Sequence, residues 1–430
     1  MSIDKTTKVT KAPVDAAPAA AGATVAAVDP RLLVREQGFA GYVGEFKRKL
    51  RGGDLGAIPV VIGLIVICVI FQSLNSAFLG AQNLNNIFVA MVATGMMSVG
   101  IIFVLLLGEI DLSVGSVSGV SSAIMAVMSV THGVNEWLAV LTALAAGAVI
   151  GAIHGFFFAR IGAPAFAVTL AGLLFWNGFM LQVLGSNGTI NIDSEGVVGN
   201  LTNYYFSDVA AAYGLAVVAV AGYFVPTFLS NRRREAAGIP SRPLSDIVLR
   251  TVLLAIAAFG VAIIFNQYKG LPLAVLLFAI VLVGSDFVLR RTSYGRKVFA
   301  LGGSVEASRR AGINVTAVRI SVFAIAGLFA SVGGLFWASK IAAANQSAGA
   351  GDLLMNVIAA AVIGGTSLFG GRGRTWNALL GVLVITSIQY GLALQGIETP
   401  IQYMITGGVL LATVVIDSIS RKTQKSAGRA

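Results

Sequence analysis

The chain has 430 residues, of which 56 % are hydrophobic and only 11 % are charged, and its formal net charge is +11. Soluble domains typically carry about 25 % charged residues, so this composition excludes an ordinary soluble protein and indicates a membrane protein. A single cysteine, Cys68, excludes an intrachain disulfide, and two histidines offer no metal-ligand spacing.

The N-terminal residues 1–50 precede the first apolar run. They are rich in alanine and polar residues and contain Pro13, Pro18 and Pro30. This composition is typical of a disordered tail and lacks the features of a cleavable signal peptide. We therefore predict a cytoplasmic tail over 1–50, a transmembrane domain over 51–420 and a second cytoplasmic tail over 421–430.

The transmembrane domain contains twelve apolar segments of about the length of a membrane-spanning helix. They lie at 57–74, 86–107, 114–131, 137–159, 164–184, 213–230, 246–265, 271–289, 316–338, 355–370, 376–394 and 400–418. Segments 114–131 and 355–370 are short and rich in glycine and serine, which predicts that either one is broken or re-entrant. The expected fold is an all-α polytopic helical bundle with about 10–12 transmembrane helices.

The basic residues predict the orientation, because lysine and arginine in short loops stay in the cytoplasm. Twelve crossings from a cytoplasmic N-terminus leave only Lys269 and Lys340, of thirty basic residues, on the outer side. The outer loops instead carry acids, namely Glu136, Asp193, Glu195, Asp208, Asp352 and Glu398. Both termini are thus predicted to be cytoplasmic, and the net charge follows from topology rather than nucleic-acid binding. Ten spans plus two re-entrant segments fit nearly as well.

The sequence 104-VLLLGEIDLSVGSVSG-119 places two acids, Glu109 and Asp111, between apolar runs. One interpretation is a pair of proton carriers, since carboxylates inside membranes serve as relays. Another is that Asp111 or Ser113 caps the helix that follows, where an acid suits the helix dipole. A third, compatible with capping, is a break in which Gly108 and Gly115 act as hinges and the acids face a polar cavity.

Glycines are spaced four residues apart at two places, at Gly147, Gly151 and Gly155 and again at Gly115 and Gly119. Such ridges let helices approach closely in lipid, so we predict that they pack inside the bundle.

Three predicted cytoplasmic segments interrupt the helices. The loop 231–246 is basic, contains Pro240 and Pro243, and is predicted to be a linker. In 290–315, Gly302 and Gly303 precede a short helix opened by Ser304, which is either a capped solvated helix or a docking helix for a cytoplasmic protein. The segment 363-IGGTSLFGGRGR-374 has five glycines and predicts a tight turn or a break.

The sequence contains neither a G-x-x-x-x-G-K-[ST] nucleotide-binding motif nor a recognised hydrolase or metalloprotease motif. With few catalytic residue types in the spans, an enzyme is not expected.

Four segments in register resemble the inner-membrane permease subunits of sugar ATP-binding-cassette importers, the ribose, arabinose and xylose group. They are 109-EIDLSVGS-116, 164-PAFAVTLAGLLFWNG-178, 299-FALGGSVEASRRAGINV-315 and 362-VIGGTSLFGG-371. Within the group the chain most resembles the xylose permeases, by Glu109, the basic loop 231–246 and the stretch 265–277. The resemblance covers about residues 57–420.

The resemblance implies a bacterial inner-membrane protein that pairs with a second copy of itself. Its partners would be a cytoplasmic ATPase, which would bind ATP and magnesium, and a periplasmic sugar-binding protein that docks on the outer surface, including 186–208. This chain itself would hold no cofactor and have no ATPase site. The residues implied to contact the ATPase are Gly302, Gly303, Glu306, Arg309 and Arg310.

A pathway for a neutral sugar needs hydrogen-bonding side chains within the spans. Candidates by polarity and position are Glu109, Asp111, Ser113, Ser116, Trp176, Asn177 and Gln182. The sequence departs from the family at Asn356, where an aspartate is common, so the role of an acid there is open. Alternatives to an ATP-driven sugar permease are a proton-coupled secondary sugar transporter, a permease for another sugar or for branched-chain amino acids, and an accessory membrane protein.

Overall fold

The computed structural model describes residues 58–239, 241–349 and 351–426. The predicted tail 1–50 and the end of the 421–430 tail lie outside the described residues. Within them the chain forms fifteen α-helices: α1 (Ile58–Leu74), α2 (Ala81–Leu106), α3 (Val114–Ala126), α4 (Glu136–Phe156), α5 (Ala165–Leu184), α6 (Asn200–Asn203), α7 (Val209–Ala236), α8 (Leu244–Asn266), α9 (Leu273–Arg291), α10 (Ser293–Gly303), α11 (Val305–Arg310), α12 (Val315–Ile341), α13 (Gly351–Ile363), α14 (Trp376–Leu394) and α15 (Thr399–Ser426).

Short irregular elements complete the described fold. π-Helical turns at Val127–Thr131 and Phe157–Ile161 extend α3 and α4. Two antiparallel two-stranded ribbons join β1 (Thr189–Asn191) to β4 (Ala343–Asn345) and β2 (Tyr205–Phe206) to β3 (Leu271–Pro272).

Each of the twelve predicted apolar segments contains one helix, so the prediction of an all-α polytopic bundle is confirmed. Nine helices in the described ranges are long and apolar enough to cross a membrane, and the apolar stretches at 58–74, 352–363 and 399–415 are shorter. The segment predicted at 355–370 is a helix only over Gly351–Ile363. Thirteen residues span about 20 Å, less than the bilayer core of about 30 Å. The glycine-rich residues 364–375 that follow are turns and bends, as their sequence predicts.

Helix α2 lies at the centre of the bundle and packs against α12, α14, α13 and α9. Its most apolar 18-residue window is 94 % buried inside the protein, because it is apolar on all sides, as expected for a central helix. Gly95 leaves room for the Phe278 ring of α9, and Gly100 faces the backbone of Ala326 in α12. Small residues thus set how closely the neighbouring helices approach α2.

The predicted glycine ridge of α4 packs against α12. A Cβ on Gly151 would overlap the carbonyl oxygen of Phe323, and one on Gly155 would lie 2.8 Å from Cα of Ile320. The prediction of a helix-packing ridge is therefore confirmed for α4. Gly115 and Gly119 instead face the backbone of Gly349 and Ala348, in the loop before α13. This second ridge thus packs against a loop and, at Gly119, also against the Met180 side chain of α5. Gly115 lies inside α3 rather than at a break in the chain.

Leucine at Gly151 is expected to separate α4 from α12 and to lower the thermal unfolding midpoint of the detergent-solubilised chain. Overpacking a filled interface costs about 1–3 kcal/mol, occasionally more, and here the obstructing atoms are backbone, which cannot rotate away. The matched control is Gly222→Leu in α7, where a Cβ meets nothing within 4 Å. Equal midpoints for the two variants would contradict the assigned packing.

The helix connections form two groups at opposite ends of the bundle. At one end, residues 106–113, 292–314 and 364–375 contact one another, through backbone atoms of Leu106, Gly108, Gly302, Gly370 and Gly371. At the other end, residues 185–208 pair with segments 271–272 and 343–345, and Asn75 donates to the Leu394 carbonyl oxygen at 3.3 Å. We call these the basic end and the acidic end, after the charges predicted for their loops.

Candidate functional site

Two of the segments that resemble the permease group, 299–315 and 362–371, meet residues 106–108 at the basic end, directly before a third such segment. Gly371 N–H donates to the Leu106 carbonyl oxygen at 2.9 Å. A Cβ on Gly302 would overlap that same oxygen, and one on Gly370 would lie 2.9 Å from both Gly108 N and Gly302 O. Backbone therefore touches backbone from three distant parts of the chain. We call Gly108, Gly302, Gly370 and Gly371 the glycine junction.

Two features of the junction require glycine. Gly108, Gly370 and Gly371 have φ of +81°, +84° and +70°, a left-handed conformation that other L-residues adopt at a cost. Gly302 has no such φ, but its neighbours leave no space for a side chain. Gly303, predicted with Gly302 as part of the contact to an ATPase, meets nothing within 4 Å. The two adjacent glycines thus have different environments.

The short helix α11 projects from the junction. The Ser304 hydroxyl accepts from Ala307 N–H at 3.2 Å, so the predicted helix cap is present. Glu306 lies 3.7 Å from Arg309 and 3.3 Å from Arg310, and all three side chains are exposed. Exposed pairs of this kind contribute only about 0–1 kcal/mol. The three charges are therefore accessible to a partner, and their contact with an ATPase stays a prediction.

A buried chain of hydrogen bonds begins two residues beyond Glu109. Asp111 is 2 % exposed, and its Oδ1 accepts from Ser113 N–H at 2.8 Å and from the Ser113 hydroxyl at 2.6 Å. Ser113 Oγ lies 3.1 Å from His154 Nδ1. His154 Nε2 accepts from the Trp176 indole N–H at 2.9 Å. This Asp111–Trp176 chain joins the 107–113 loop, α4 and α5.

The chemistry of the four groups gives the chain one direction. An indole N–H can only donate, so Nε2 of His154 is the acceptor and, in the neutral ring, the proton lies on Nδ1. Nδ1–H then donates to Ser113 Oγ, whose own proton goes to Asp111. Each of these bonds satisfies a polar group among apolar helices, where an unpaired group costs about 1–3 kcal/mol. The Asp111–Trp176 chain therefore fixes both the tautomer of His154 and the position of the 107–113 loop.

The sequence prediction that a side chain caps α3 is wrong in its detail. Ser113 occupies the capping position but makes no capping bond to the helix, because its hydroxyl is engaged by Asp111 and His154. Asp111 instead accepts the Ser113 N–H two residues along. An acidic group near this end of α3 still suits the helix dipole.

Glu109 lies at the edge of the same loop and is half-buried. Burial raises the pKa of its carboxyl group, and the positive charge of Arg319 opposes that rise. Arg319, near the start of α12, is half-buried, and its Cζ lies 4.3 Å from the ring centroid of Phe158. Glu109 thus sits in the field of a cation that is itself held by an aromatic ring.

The structure does not bring all predicted pathway residues together. Ser113 and Ser116 are buried, and Ser116 donates to the Ser113 carbonyl oxygen at 2.8 Å. Trp176 and Asn177 are half-buried on α5, while Gln182 is exposed at the far end of that helix. In this structure the polar groups of Asp111, Ser113 and Trp176 are hydrogen-bonded to protein groups. Their role in a pathway remains a prediction.

Sequence reasoning missed His154, Arg319 and Gly172. Their only signal is a polar or small residue within an apolar run, which does not reveal a partner. Gly172 of α5 faces the His154 ring, and a Cβ there would lie 2.8 Å from Cε1. This glycine makes the space that the imidazole occupies.

The acidic end is built around residues 186–208. The Glu136 carboxylate accepts from Val197 N–H at 2.6 Å and from Val198 N–H at 2.7 Å. The Thr202 and Ser339 hydroxyls are 2.8 Å apart, and both ribbons add further ties. This long connection is therefore fixed at several points and forms a defined surface.

The departure at Asn356 is visible in α13. Asn356 is half-buried, whereas Asp352 lies one turn earlier, is exposed and accepts from the Tyr403 hydroxyl at 3.2 Å. Asp352 is thus engaged by α15 at the acidic end, and it does not take the position of Asn356.

Comparison with known proteins identifies the family. Residues 83–414 match the family described as branched-chain amino acid transport system / permease component. The chain is 33 % identical over 374 residues to the xylose transport system permease protein XylH of Escherichia coli K12, covering 87 % of this chain and 94 % of the relative. It is 32 % identical over 375 residues to XylH of Haemophilus influenzae, covering 87 % and 99 %. It is 30 % identical over 358 residues to the ribose import permease protein RbsC of E. coli K12, covering 83 % and 92 %. No solved structure matches the chain.

A polytopic bundle of apolar helices with a structured loop surface at each end is the architecture of a multi-pass membrane protein. The chain belongs to this permease family, as a multi-pass inner-membrane protein of the ribose and xylose type of ATP-binding-cassette sugar permease.

Proposed function

We propose that this chain is the transmembrane permease subunit of an importer for a pentose, D-xylose. The basis for the sugar is the similarity to XylH over nearly its whole length. Two copies of the chain form the membrane path, a periplasmic sugar-binding protein delivers the sugar at the acidic end, and a cytoplasmic ATPase binds at the basic end. ATP and magnesium belong to that ATPase.

The glycine junction is the observation that carries this proposal. Its direct backbone contacts join the last turn of α10 to the residues that lead into the Asp111 loop. Only Ser304 separates α10 from α11. Backbone contacts transmit a displacement because, unlike long side chains, they cannot absorb it by changing rotamer. A movement of α11 imposed by an ATPase would therefore shift the Asp111–Trp176 chain and the helices it joins.

The orientation follows from charge. Basic loops at the α11 end satisfy the positive-inside rule if that end faces the cytoplasm. The same orientation presents the 186–208 surface and Lys269 to the periplasm.

Reconstitution tests the proposal directly. Proteoliposomes containing this chain, its cognate ATPase and the sugar-binding protein are expected to accumulate radiolabelled xylose only when ATP reaches the ATPase. Ribose and leucine, measured in parallel, test the substrate class. Uptake of ribose but not xylose would overturn the choice of sugar and keep the importer. Uptake of leucine alone would overturn the sugar assignment altogether.

A proton-coupled secondary transporter is the second candidate, favoured by the buried acid and histidine of the Asp111–Trp176 chain. Carboxylates and histidines inside membranes form proton relays. Xylose accumulation driven by a pH gradient in vesicles that contain this chain alone would select this candidate and overturn the ATP-driven importer.

A further inference from the structure

The basic end of α7 carries an ordered column of rings and one guanidinium. Phe224 and Phe228 stack with ring centroids 5.5 Å apart and an interplanar angle of 16°. Arg232 continues the same row one turn later, with its Cζ 4.9 Å from the centroid of Phe228. A cation–π contact holds the guanidinium in place without using its N–H donors. Arg232 is therefore positioned before any ligand binds.

A buried asparagine brings another arginine to the same place. Asn231 Oδ1 accepts from Arg242 N–H at 2.8 Å, and its Nδ2 donates to the Arg242 carbonyl oxygen at 3.0 Å. The connection between α7 and α8 is thereby folded over the end of α7. The nearby acid, Glu235, accepts through Oε1 from Asn231 and from Ser241 at 2.9 and 3.0 Å. In the part of the chain that the structure describes, Arg232, Arg233 and Arg234 form no ion pair.

An apolar stripe on α7 leads to these arginines. Val218, Val225 and Leu229 are exposed and, by their spacing, lie on one face of the helix with Arg232 and Arg233 at its end. In a bilayer this face meets acyl chains, and the arginines, at the end of the apolar run, lie at headgroup depth. The surface thus has the polarity of a phospholipid, apolar along its length and cationic at one end.

We propose that this end of the α7–α8 hairpin is a binding site for an anionic phospholipid, with the phosphate held by Arg232 and the neighbouring Arg233 and Arg242. Guanidinium groups bind phosphate oxygens through paired N–H donors, and basic clusters beside transmembrane helices attract anionic lipids. An acyl chain lies along Val218, Val225 and Leu229. The site is independent of which substrate the permease carries.

Native mass spectrometry of the full chain in detergent, with added dioleoyl phosphatidylglycerol or dioleoyl phosphatidylcholine, tests this site. Phosphatidylglycerol is expected to bind more tightly than phosphatidylcholine, whose tails are identical. Arg232→Gln is expected to weaken phosphatidylglycerol binding about fivefold, the factor that corresponds to about 1 kcal/mol for a basic residue near an anionic surface. Phe228→Leu, which changes no charge, is expected to weaken it about two- to fivefold through loss of the cation–π contact.

The control variant is Arg296→Gln, which removes an exposed arginine of α10 at the same end of the bundle. It is expected to leave phosphatidylglycerol binding unchanged. An equal loss for Arg296→Gln and Arg232→Gln, no loss for Phe228→Leu, or no preference for phosphatidylglycerol would each overturn the proposal. Lipid binding that is insensitive to Arg232→Gln, combined with weaker co-purification of the ATPase, would assign this surface to the ATPase instead.

Discussion

Alanine at position 302 is expected to abolish most ATP-dependent sugar uptake in the reconstituted complex proposed above. Its Cβ would overlap the Leu106 carbonyl oxygen and lie 2.7 Å from the backbone nitrogen of Gly371. Relief requires the end of α10 to move away from α2, which breaks the backbone contact between Gly302 and Leu106, the residue that leads into the 107–113 loop. A packing penalty of about 1–3 kcal/mol corresponds to about a 5- to 150-fold loss of the packed arrangement.

The neighbouring Gly303 provides a matched control. A Cβ at Gly303 meets nothing within 4 Å, and both glycines lie in the last turn of α10. Gly303→Ala therefore adds the same methyl group to the same helix without touching the junction, and uptake is expected to stay near that of the parent chain. Comparable uptake by the two variants would contradict a role of the junction in transmission.

A second readout separates uncoupling from loss of assembly. The amount of ATPase that co-purifies with Gly302→Ala and its ATP hydrolysis without sugar-binding protein should remain measurable, because Glu306, Arg309 and Arg310 lie on the exposed surface of α11. The stimulation of hydrolysis by sugar-loaded binding protein should be lost. If the ATPase no longer co-purified, the junction would be required for docking rather than for transmission.

Apolar length and charge placement predict most of the fold. Segment 376–394 matches α14 at both ends, because an uninterrupted apolar run in a membrane must form a helix to satisfy its backbone. Ser304 is correctly predicted as a cap, since capping depends on residues three positions apart. Helix α13 ends at Ile363 rather than at the predicted residue 370, because the glycines beyond it adopt turns that pack against Gly108 and Gly302. These contacts are remote in sequence.

The candidate site is less predictable for the same reason. Asp111, His154 and Trp176 are brought together by the packing of a loop and two helices, and no local pattern encodes those contacts. Gln182 is polar and lies in the same span as Trp176, yet it is exposed near the C-terminal end of α5. The sequence alone does not distinguish Gly302 from Gly303. Only the path of α2 beside them makes Gly302 essential to the packing.

Leucine in place of His154 is expected to destabilise the protein, because it removes both ring nitrogen atoms from the hydrogen bonds of the Asp111–Trp176 chain. The Trp176 N–H loses its acceptor and the Ser113 hydroxyl loses a donor. The expected loss in free energy of unfolding is about 1–3 kcal/mol for a buried polar group left unpaired. The thermal midpoint of the detergent-solubilised chain measures it. The other histidine of the chain supplies the control, since His132 is exposed and His132→Leu is expected to leave the midpoint unchanged.

Glutamine at position 154 then decides what the histidine does. Its amide oxygen can accept from Trp176, but the amide does not titrate between pH 5 and 8, as an unperturbed imidazole does. If His154 braces the loop against α4 and α5, His154→Gln should retain most of the stability and most of the ATP-dependent uptake. A proton relay through Asp111 and His154 also predicts a stable protein, but one without uptake. Stability retained together with uptake lost would therefore contradict a purely bracing role and indicate that uptake requires a titratable group at position 154.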